Sequence, residues 1–370
     1  MVLKNCLLSE LPNRIKSSNK KIIIYGAGMI GKVLVPYFIK EYELYDYVDC
    51  YIDADVNKIG TVIEIDSRRY SVKAPDYLNN ADKNVVIIIT NSKFIPIVDF
   101  FEGISALKTS DVYIYPIMQL NESNIENDFE IKKLCEKQLI PKTIHYCWFG
   151  RNPMPQFLQK CIASWREFCP DYEIVEWNED NYDVSRHRYT EQAYGKKRFG
   201  FVTDIARFDI LYENGGIYLD TDVMLLKNPD ALLYQNGFIA TEKWGNINSG
   251  GGCGFEKGNP MIKEIIDYRD EFDFINMDGS LNIETNGVYE TTMFIKYGFI
   301  PDSTYQIVNG ISVYPPCVFH PYDYMSSELS TSKSTVSVHH FYGGWMTDDD
   351  KLNRKKTQRE YVNVISKMKN

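Results

Sequence analysis

Eight cysteines are scattered through the 370 residues (positions 6, 50, 135, 147, 161, 169, 253 and 317), and none forms a Cys-x-x-Cys pair. That spacing offers neither a zinc ribbon nor a disulfide framework, and it fits reduced thiols. No stretch reaches the ~18 apolar residues of a membrane-spanning helix. Residues 1–20 lack the apolar core and cleavage site of a secretory leader. The expectation is a cytoplasmic protein, with a peripheral place on the inner face of a membrane as the alternative. There is no surplus of positive charge either: the formal net charge is −9, which argues against general nucleic-acid binding. Internal repeats and low-complexity tracts are absent. Aromatic residues are plentiful, with 27 Tyr; such side chains stack on sugars and bases but also fill cores. The length exceeds one ordinary core, so two domains are expected.

The most informative stretch is Gly215-Gly216-Ile217-Tyr218-Leu219-Asp220-Thr221-Asp222-Val223-Met224-Leu225-Leu226. Two carboxylates interrupt an apolar run. On an extended chain, residues two apart project to one side within ~7 Å of each other. Like charges that close, walled by Ile217, Leu219, Val223 and Leu225, need a positive partner, because an unpaired buried charge is costly. A divalent metal with oxygen ligands meets that need. The alternative is a solvated turn. A calcium loop of the EF-hand kind does not fit, since Met224-Leu225-Leu226 supplies none of the further ligands.

Residues 21–25 read as a buried strand that runs into Gly26-Ala27-Gly28-Met29-Ile30-Gly31 and then a helical pattern. Further strands are expected at 47–53, 85–90 and 112–115, with a helix at 94–101. This alternation predicts a small parallel α/β sheet of Rossmann type over 1–118, followed by a polar, partly helical linker at 119–139 and a second α/β domain at 140–370. The GxGxxG pattern of Gly26, Gly28 and Gly31, with Asp53 closing the second strand, can seat a nucleotide pyrophosphate. The glycines can equally serve only the tight strand-to-helix turn. The segment 51–60 resembles the Rossmann N-terminal domains of bacterial sugar-modifying acyltransferases and epimerases.

In the second domain, strands are expected at 143–148 and 172–177 and helices at 161–168 and 201–212. Asn214-Gly215-Gly216 stops the last helix, and a strand carrying Asp220 and Asp222 follows. Asp204 and Arg207, three apart, share a face of that helix; a solvated ion pair is the plainer reading. Three motifs carry a specific resemblance: Ile140-Pro141-Lys142-Thr143-Ile144-His145-Tyr146-Cys147-Trp148-Phe149-Gly150, Phe201-Val202-Thr203-Asp204-Ile205-Ala206-Arg207, and Gly215 to Asp222. Their order and spacing over about 140–345 resemble the DXD-containing retaining glycosyltransferases, a group that includes initiation-specific mannosyltransferases, bacterial capsular polysaccharide enzymes and the clostridial glucosylating toxins.

The resemblance implies a GT-A fold and a divalent cofactor, Mn2+ or Mg2+, suited to hard carboxylate oxygens. It implies Asp222 as a direct metal ligand and Asp220 as a contact to metal and ribose. Near the end, Val338-His339-His340-Phe341-Tyr342-Gly343-Gly344-Trp345 offers a third ligand. Neighbours on a strand point opposite ways, so only one His can face the site. The His-Phe-x-Gly element selects His340 by resemblance and leaves His339 structural. Trp148 matches a uracil-stacking Trp, Asp204 and Arg207 match a pair that grips donor-sugar hydroxyls, and Asn248 and Trp345 are further donor-binding candidates. Gly344 stands where many relatives carry a Ser, and Glu284 to Val288 depart from a Gly-Pro pattern.

The implied function is transfer of a hexose or N-acetylhexosamine from a nucleotide-sugar, a UDP-sugar first and GDP-mannose second, to a glycan hydroxyl in bacterial surface polysaccharide. Retention by front-face displacement, with the leaving phosphate assisting the acceptor proton, is the working expectation. A lipid-diphosphate-linked acceptor or an anionic membrane could meet the basic clusters 186–188 with 196–198, and 351–359. Two other classes stay open: an NAD-linked sugar-nucleotide oxidoreductase and a non-catalytic sugar-nucleotide-binding regulator.

Overall fold

A computed structural model describes residues 1–81, 85–123, 129–344, 346 and 348–368. It divides into two compact units, Met1–Ile125 with Asn353–Asn370, and Glu126–Leu352. In the first unit, Lys21–Tyr25 and Val85–Ile89 are buried at every position but Lys21. Such unbroken apolar runs belong in the middle of a parallel sheet covered on both faces.

The elements of this unit are β1 (Val2–Leu3), α1 (Leu11–Ser18), β2 (Lys21–Tyr25), α2 (Val35–Glu41), β3 (Val48–Ile52), β4 (Val62–Ile65), β5 (Arg68–Lys73), β6 (Val85–Ile89), α3 (Ile95–Glu102), β7 (Asp111–Ile114) and α4 (Tyr115–Ser123). The sheet order is β1-β7-β6-β2-β3-β5-β4, parallel except where β4 folds back on β5. The strands expected at 21–25, 47–53, 85–90 and 112–115 are β2, β3, β6 and β7 within one residue. The β4–β5 pair was not expected. Its alternating buried and exposed residues form a short sheet edge.

The second unit contains β8 (Thr143–Cys147), α5 (Gln156–Phe168), β9 (Glu173–Trp177), α6 (Arg188–Gly195), α7 (Phe199–Asn214), β10 (Gly216–Tyr218), β11 (Val223–Leu225), β12 (Gly237–Ala240), β13 (Cys253–Phe255), α8 (Pro260–Arg269), α9 (Asn286–Lys296), β14 (Gln306–Val308), β15 (Ile311–Tyr314), α10 (Pro316–Phe319), β16 (Tyr322–Asp323), β17 (Glu328–Leu329) and β18 (Ser337–His339). Seven strands form one mixed sheet in the order β14-β15-β12-β13-β10-β8-β9. Its β9, β8 and β10 are parallel, and β13 is antiparallel to both β10 and β12. One core lies under α7 and α8, with Val202, Ile205, Phe208, Ile262 and Ile265. The other lies under α5, with Ile162 and Trp165 against Ile217, Leu219 and Phe238. Both units are α/β, the class expected. The mixed sheet of the second, with the aspartate pair directly after a parallel strand, fits a GT-A-like arrangement.

Two boundaries differ from the expectation. The last helix, α11 (Asp348–Lys367), belongs from Asn353 onward to the first unit and not to the 140–370 domain. Tyr361 and Val364, three apart on a charged helix, are its buried apolar positions, and the Tyr361 ring lies 5.7 Å from that of Phe94. The segment expected as a linker begins inside α4, where Gln119 and Leu120 are buried. Beyond it, Phe129 packs on Tyr305 and Tyr314, and the N–H groups of Leu134, Cys135, Leu139 and Ile140 donate to the Tyr234 and Leu233 carbonyls. The basic run 186–188 is largely paired: Arg186 with Glu213, Arg188 with Asp273, and His187 buried between two aspartates. Among the described residues no helix is long and apolar enough to cross a membrane.

His187 ties three helices together. It precedes α6, its Nε2 meets Asp209 of α7 at 2.8 Å, and its Nδ1 meets Asp270 at the end of α8 at 2.5 Å. Burial disfavours charge on this ring, but the two aspartates outweigh it and raise its pKa above 6.5. Its stabilising contribution is therefore full below pH 6.5 and fades as pH rises through the raised value. His187→Gln is expected to cost about 2–3 kcal/mol at pH 6 and distinctly less at pH 9. Urea melts at the two pH values check this; an equal loss at both would remove the charged-His assignment.

Candidate functional site

Two glycines aim the aspartate segment. Gly215 ends α7 at φ +69° and Gly216 opens β10 at φ +101°, backbone conformations that side-chain-bearing residues rarely adopt. A Cβ on Gly216 would sit 3.0 Å from His145 Nε2. His145 takes the Trp177 indole N–H on Nδ1 at 3.1 Å and meets the Gly215 carbonyl through Nε2 at 2.9 Å. Burial lowers its pKa to about 4, so it is a neutral brace at physiological pH.

Asp220 and Asp222 do not ride on one strand, as the local pattern suggests, but follow one in a loop, as the GT-A resemblance implies. They occupy a turn between β10, in the large sheet, and β11, which among the described residues pairs only with β18. The Asp220 N–H donates to Gly250 O at 2.9 Å, and the Val223 N–H donates to Asp220 O at 3.0 Å. The chain must change sheets here, and the turn keeps both carboxylates on one site.

Arg207 organises one side of that site. It is 4% exposed and donates to Thr203 O at 3.0 Å, Asp204 at 3.2 Å, Ser249 Oγ at 3.0 Å and Asp220 Oδ1 at 3.3 Å. The plain solvated ion pair is thereby replaced by a buried fan of bonds. Burial raises the pKa of both Asp204 and Asp220, with Arg207 opposing the shift. The Arg269 guanidinium, stacked over Tyr189 and Tyr289 at 4.6 and 3.7 Å, also acts on Asp204.

On the other side, His339 Nε2 lies 3.3 Å from Asp222 Oδ1, and the Tyr342 N–H donates to Asp222 Oδ2 at 2.7 Å. Burial alone would raise the Asp222 pKa, but His339 and that N–H hold it below the ordinary value. The side chain brought to the aspartates is thus His339, and not His340. Register decides it, since β18 pairs with β11 so that His339 stands opposite Val223. The His340 backbone N–H bonds Asp222 O at 3.1 Å, while its ring packs against Phe157 at 5.0 Å. Alternation along a strand says that one of two neighbours faces the site, but only pairing says which.

One ligand atom each from Asp220, Asp222 and His339 lies within 4.8 Å of the others. The two hard carboxylates suit Mn2+ or Mg2+, the imidazole favours Mn2+ of the two, and His339 Nδ1 is buried without a partner. These residues fit a divalent cation. His339→Ala is expected to weaken Mn2+ binding, titrated with UDP present, by more than the roughly 10–100-fold that loss of a supporting partner costs. His340→Ala should leave it within a factor of about three; the reverse order would restore His340 as the ligand.

Three supporting residues carry no local sequence signal. Ser249 accepts from Arg207 and donates to Glu290, whose Oε2 also accepts the Ser249 N–H at 2.9 Å. Glu290, fully buried on α9, has its pKa raised by burial to about 7. His320, held neutral by burial with a pKa of about 3, packs tilted against the His339 ring at 5.4 Å and meets Asn248 O at 3.1 Å. Asn248 is at the site, with its Oδ1 accepting the Gly250 N–H at 2.8 Å. Trp148, at the end of β8, lines a cleft of about 270 Å3 with Arg151, Asn152, Glu176, Asn178 and Glu179. Trp345 lies outside the described residues.

In the first unit, the glycine turn closes on itself. A Cβ on Gly31 would run into the Gly26 carbonyl, and one on Gly26, at φ +120°, would meet Thr90 Oγ1 at 2.6 Å. Gly28 has open space around it. Asp53 Oδ2 accepts the Ala27 N–H at 2.7 Å, and Lys58 lies 3.4 Å from the same oxygen.

Residues 155–239 match a family described as glycosyltransferase sugar-binding region containing DXD motif. This segment is similar to the DXD-containing glycosyltransferases. The matched stretch runs from α5 into β12 and holds Asp204, Arg207, Asp220 and Asp222, while Trp148, Asn248 and His339 lie outside it. A stretch of 143 residues is 31% identical to inositol phosphoceramide mannosyltransferase 3 of Schizosaccharomyces pombe, covering 36% of this chain and 38% of that protein. Another of 190 residues is 27% identical to subversion of eukaryotic traffic protein A of Legionella pneumophila, covering 40% of this chain and 29% of that one. The chain thus spans well under half the length of these relatives. Among solved structures, the PaToxG glycosyltransferase aligns at a TM-score of 0.34 and 15% identity, over 49% of this chain and 75% of that one.

Proposed function

We propose that the protein is a metal-dependent, retaining glycosyltransferase that moves a hexose or N-acetylhexosamine from a nucleotide-sugar to a glycan hydroxyl. One observation carries this reading: Asp220, Asp222 and His339 converge beside the buried Asp204–Arg207 pair. A divalent cation held by the first three would draw off the negative charge that grows on a diphosphate leaving group. Arg207 and Asp204 orient the donor sugar through charged hydrogen bonds. Trp148 and its cleft receive the base, which makes a UDP-sugar the first donor to test. GDP-mannose stands beside it because the named relatives include mannosyltransferases. The acceptor proposed is a growing bacterial surface glycan, carried on a lipid diphosphate at the cytoplasmic face of the membrane.

The test is donor cleavage. Incubation with a panel of UDP- and GDP-sugars and Mn2+ should release nucleotide from one of them, stop with EDTA and resume with added Mn2+. Binding without release from any donor would favour the regulator instead. Contacts in the first unit favour a structural role for its glycine turn, because Asp53 takes the Ala27 N–H, one of the donors the turn offers. A saturable NADH titration of protein fluorescence would overturn that role and return the oxidoreductase.

A further inference from the structure

Glu242 has no part in the machinery described so far, yet it stands at the site. After β12 the chain makes a hairpin, closed by backbone bonds from Glu242 N to Asn246 O at 2.8 Å and from Gly245 N to Glu242 O at 2.9 Å, and returns to Asn248. Asn248 and Ser249 then send their side chains to different partners. Ser249 bonds Arg207 and Glu290. Asn248 Nδ2 donates to Glu242 Oε2 at 3.1 Å. The Asn248 amide is oriented by its oxygen, which takes the Gly250 N–H. A Cβ on Gly250 would run into Asp220 Oδ2 and lie 3.1 Å from Asn248 Oδ1. So Asp220 turns Oδ1 to Arg207 and Oδ2 toward Asn248, with Glu242 beyond.

This line leads from the aspartate pair through Asn248 to the hairpin after β12. Glu242 is half-buried, and among the described residues no Lys or Arg is ion-paired with it. Burial raises its pKa, and so does nearby Asp323, while hydrogen bonds from the Asn248 and Asn246 amides and the nearby His339 oppose the shift. The hairpin is closed by its backbone and does not need a carboxylate. Four other acids, Asp204, Asp220, Asp222 and Glu290, already crowd the site, so a fifth raises its electrostatic cost.

We propose that Glu242 is the acceptor-side base: its carboxylate receives the hydroxyl of the attacking acceptor and takes its proton. The proposal rests on the glycosyltransferase reading. The acceptor oxygen forms its bond to the anomeric carbon as that carbon's bond to the diphosphate oxygen breaks. The electron pair leaves with the nucleoside diphosphate, and the proton goes to Glu242 rather than to the departing phosphate. With no glycan present, water is the acceptor.

Glu242→Gln, Glu242→Asp and Glu242→Ala test this through cleavage of the donor that the panel identifies, with Mn2+·UDP affinity and melting temperature measured on the same samples. Loss of a positioned base should lower the cleavage rate roughly 10²–10⁴-fold. Mn2+·UDP affinity should stay within about twofold of wild type in the Gln variant. Asp should keep part of the rate, and formate added to the Ala variant should restore some of it. Cleavage by the Gln variant near the wild-type rate overturns the proposal and leaves the proton to the phosphate. A fall in nucleotide affinity and melting temperature that accounts for the lost rate also overturns it, making Glu242 a brace for the hairpin. If the wild-type protein cleaves no donor, the glycosyltransferase reading itself fails, which is a separate result.

Discussion

Asp222→Asn should leave the protein folded and reduce donor cleavage by roughly 10³-fold or more. The amide is nearly isosteric, and its oxygen can still accept the Tyr342 N–H that Oδ2 takes at 2.7 Å. What disappears is the charge that faces His339 at 3.3 Å and that a divalent cation would need. Two stability effects oppose each other. The lowered pKa of Asp222 means that its charge stabilises the fold above the ordinary carboxylate range, and that contribution is lost as pH falls through the folded value. Its replacement sacrifices this at pH 7, at about 1–2 kcal/mol. Removing one of two neighbouring carboxylates relieves Asp220 in return. The melting temperature should therefore move by only a few degrees while nucleotide release with Mn2+ collapses. Unchanged release would remove the aspartate turn from the chemistry altogether.

Arg207→Met should be the most destabilising single change near the site, at about 3–5 kcal/mol at pH 8. The guanidinium is 4% exposed and serves Asp204, Asp220 and Ser249 directly, with Glu290 behind Ser249. Without it, Asp204, Asp220 and Glu290 lose this guanidinium, leaving only Arg269 to act on Asp204 and His339 on Asp220. Their folded pKa values, raised already, rise further. An acid with a raised folded pKa binds protons more readily in the native state, so stability grows as pH falls from the folded value toward the unfolded one. Glu290, at about 7, places that window between roughly pH 4.5 and 7. The variant should regain much of its loss at pH 5, and urea melts at pH 5 and 8 read this directly. Arg207→Lys restores one charge but not the fork that reaches several acceptors at once. It should recover stability better than donor cleavage. Equal recovery of both would make Arg207 a structural ion and nothing more.

Much of this protein was legible along the chain. Unbroken apolar runs marked β2 and β6, because a strand buried on both faces has no polar side to show. Gly215-Gly216 marked the end of α7 because only glycine takes both backbone conformations cheaply. Asp204 and Arg207 were placed on one helical face by a spacing of three. In each case the cause lies within a few residues.

The remainder depended on contacts between distant segments. Which histidine meets Asp222 follows from the pairing of β18 with β11, over a hundred residues apart, and local alternation is equally content with either. Asp220 and Asp222 sit on a turn and not a strand because β10 and β11 join different sheets, a fact about partners and not about the apolar residues around them. Glu290, Ser249 and Glu242 reach the site through the loop 246–250 and α9, with nothing in their own neighbourhoods to mark them. Helix α11 joins the first unit through Tyr361 and Val364, though it follows the second in sequence. Backbone preference and side-chain periodicity act over one or two turns of chain and are written in the sequence by itself. The register of paired strands and the charges that meet inside a core are set by packing among remote segments, and only the folded protein decides them.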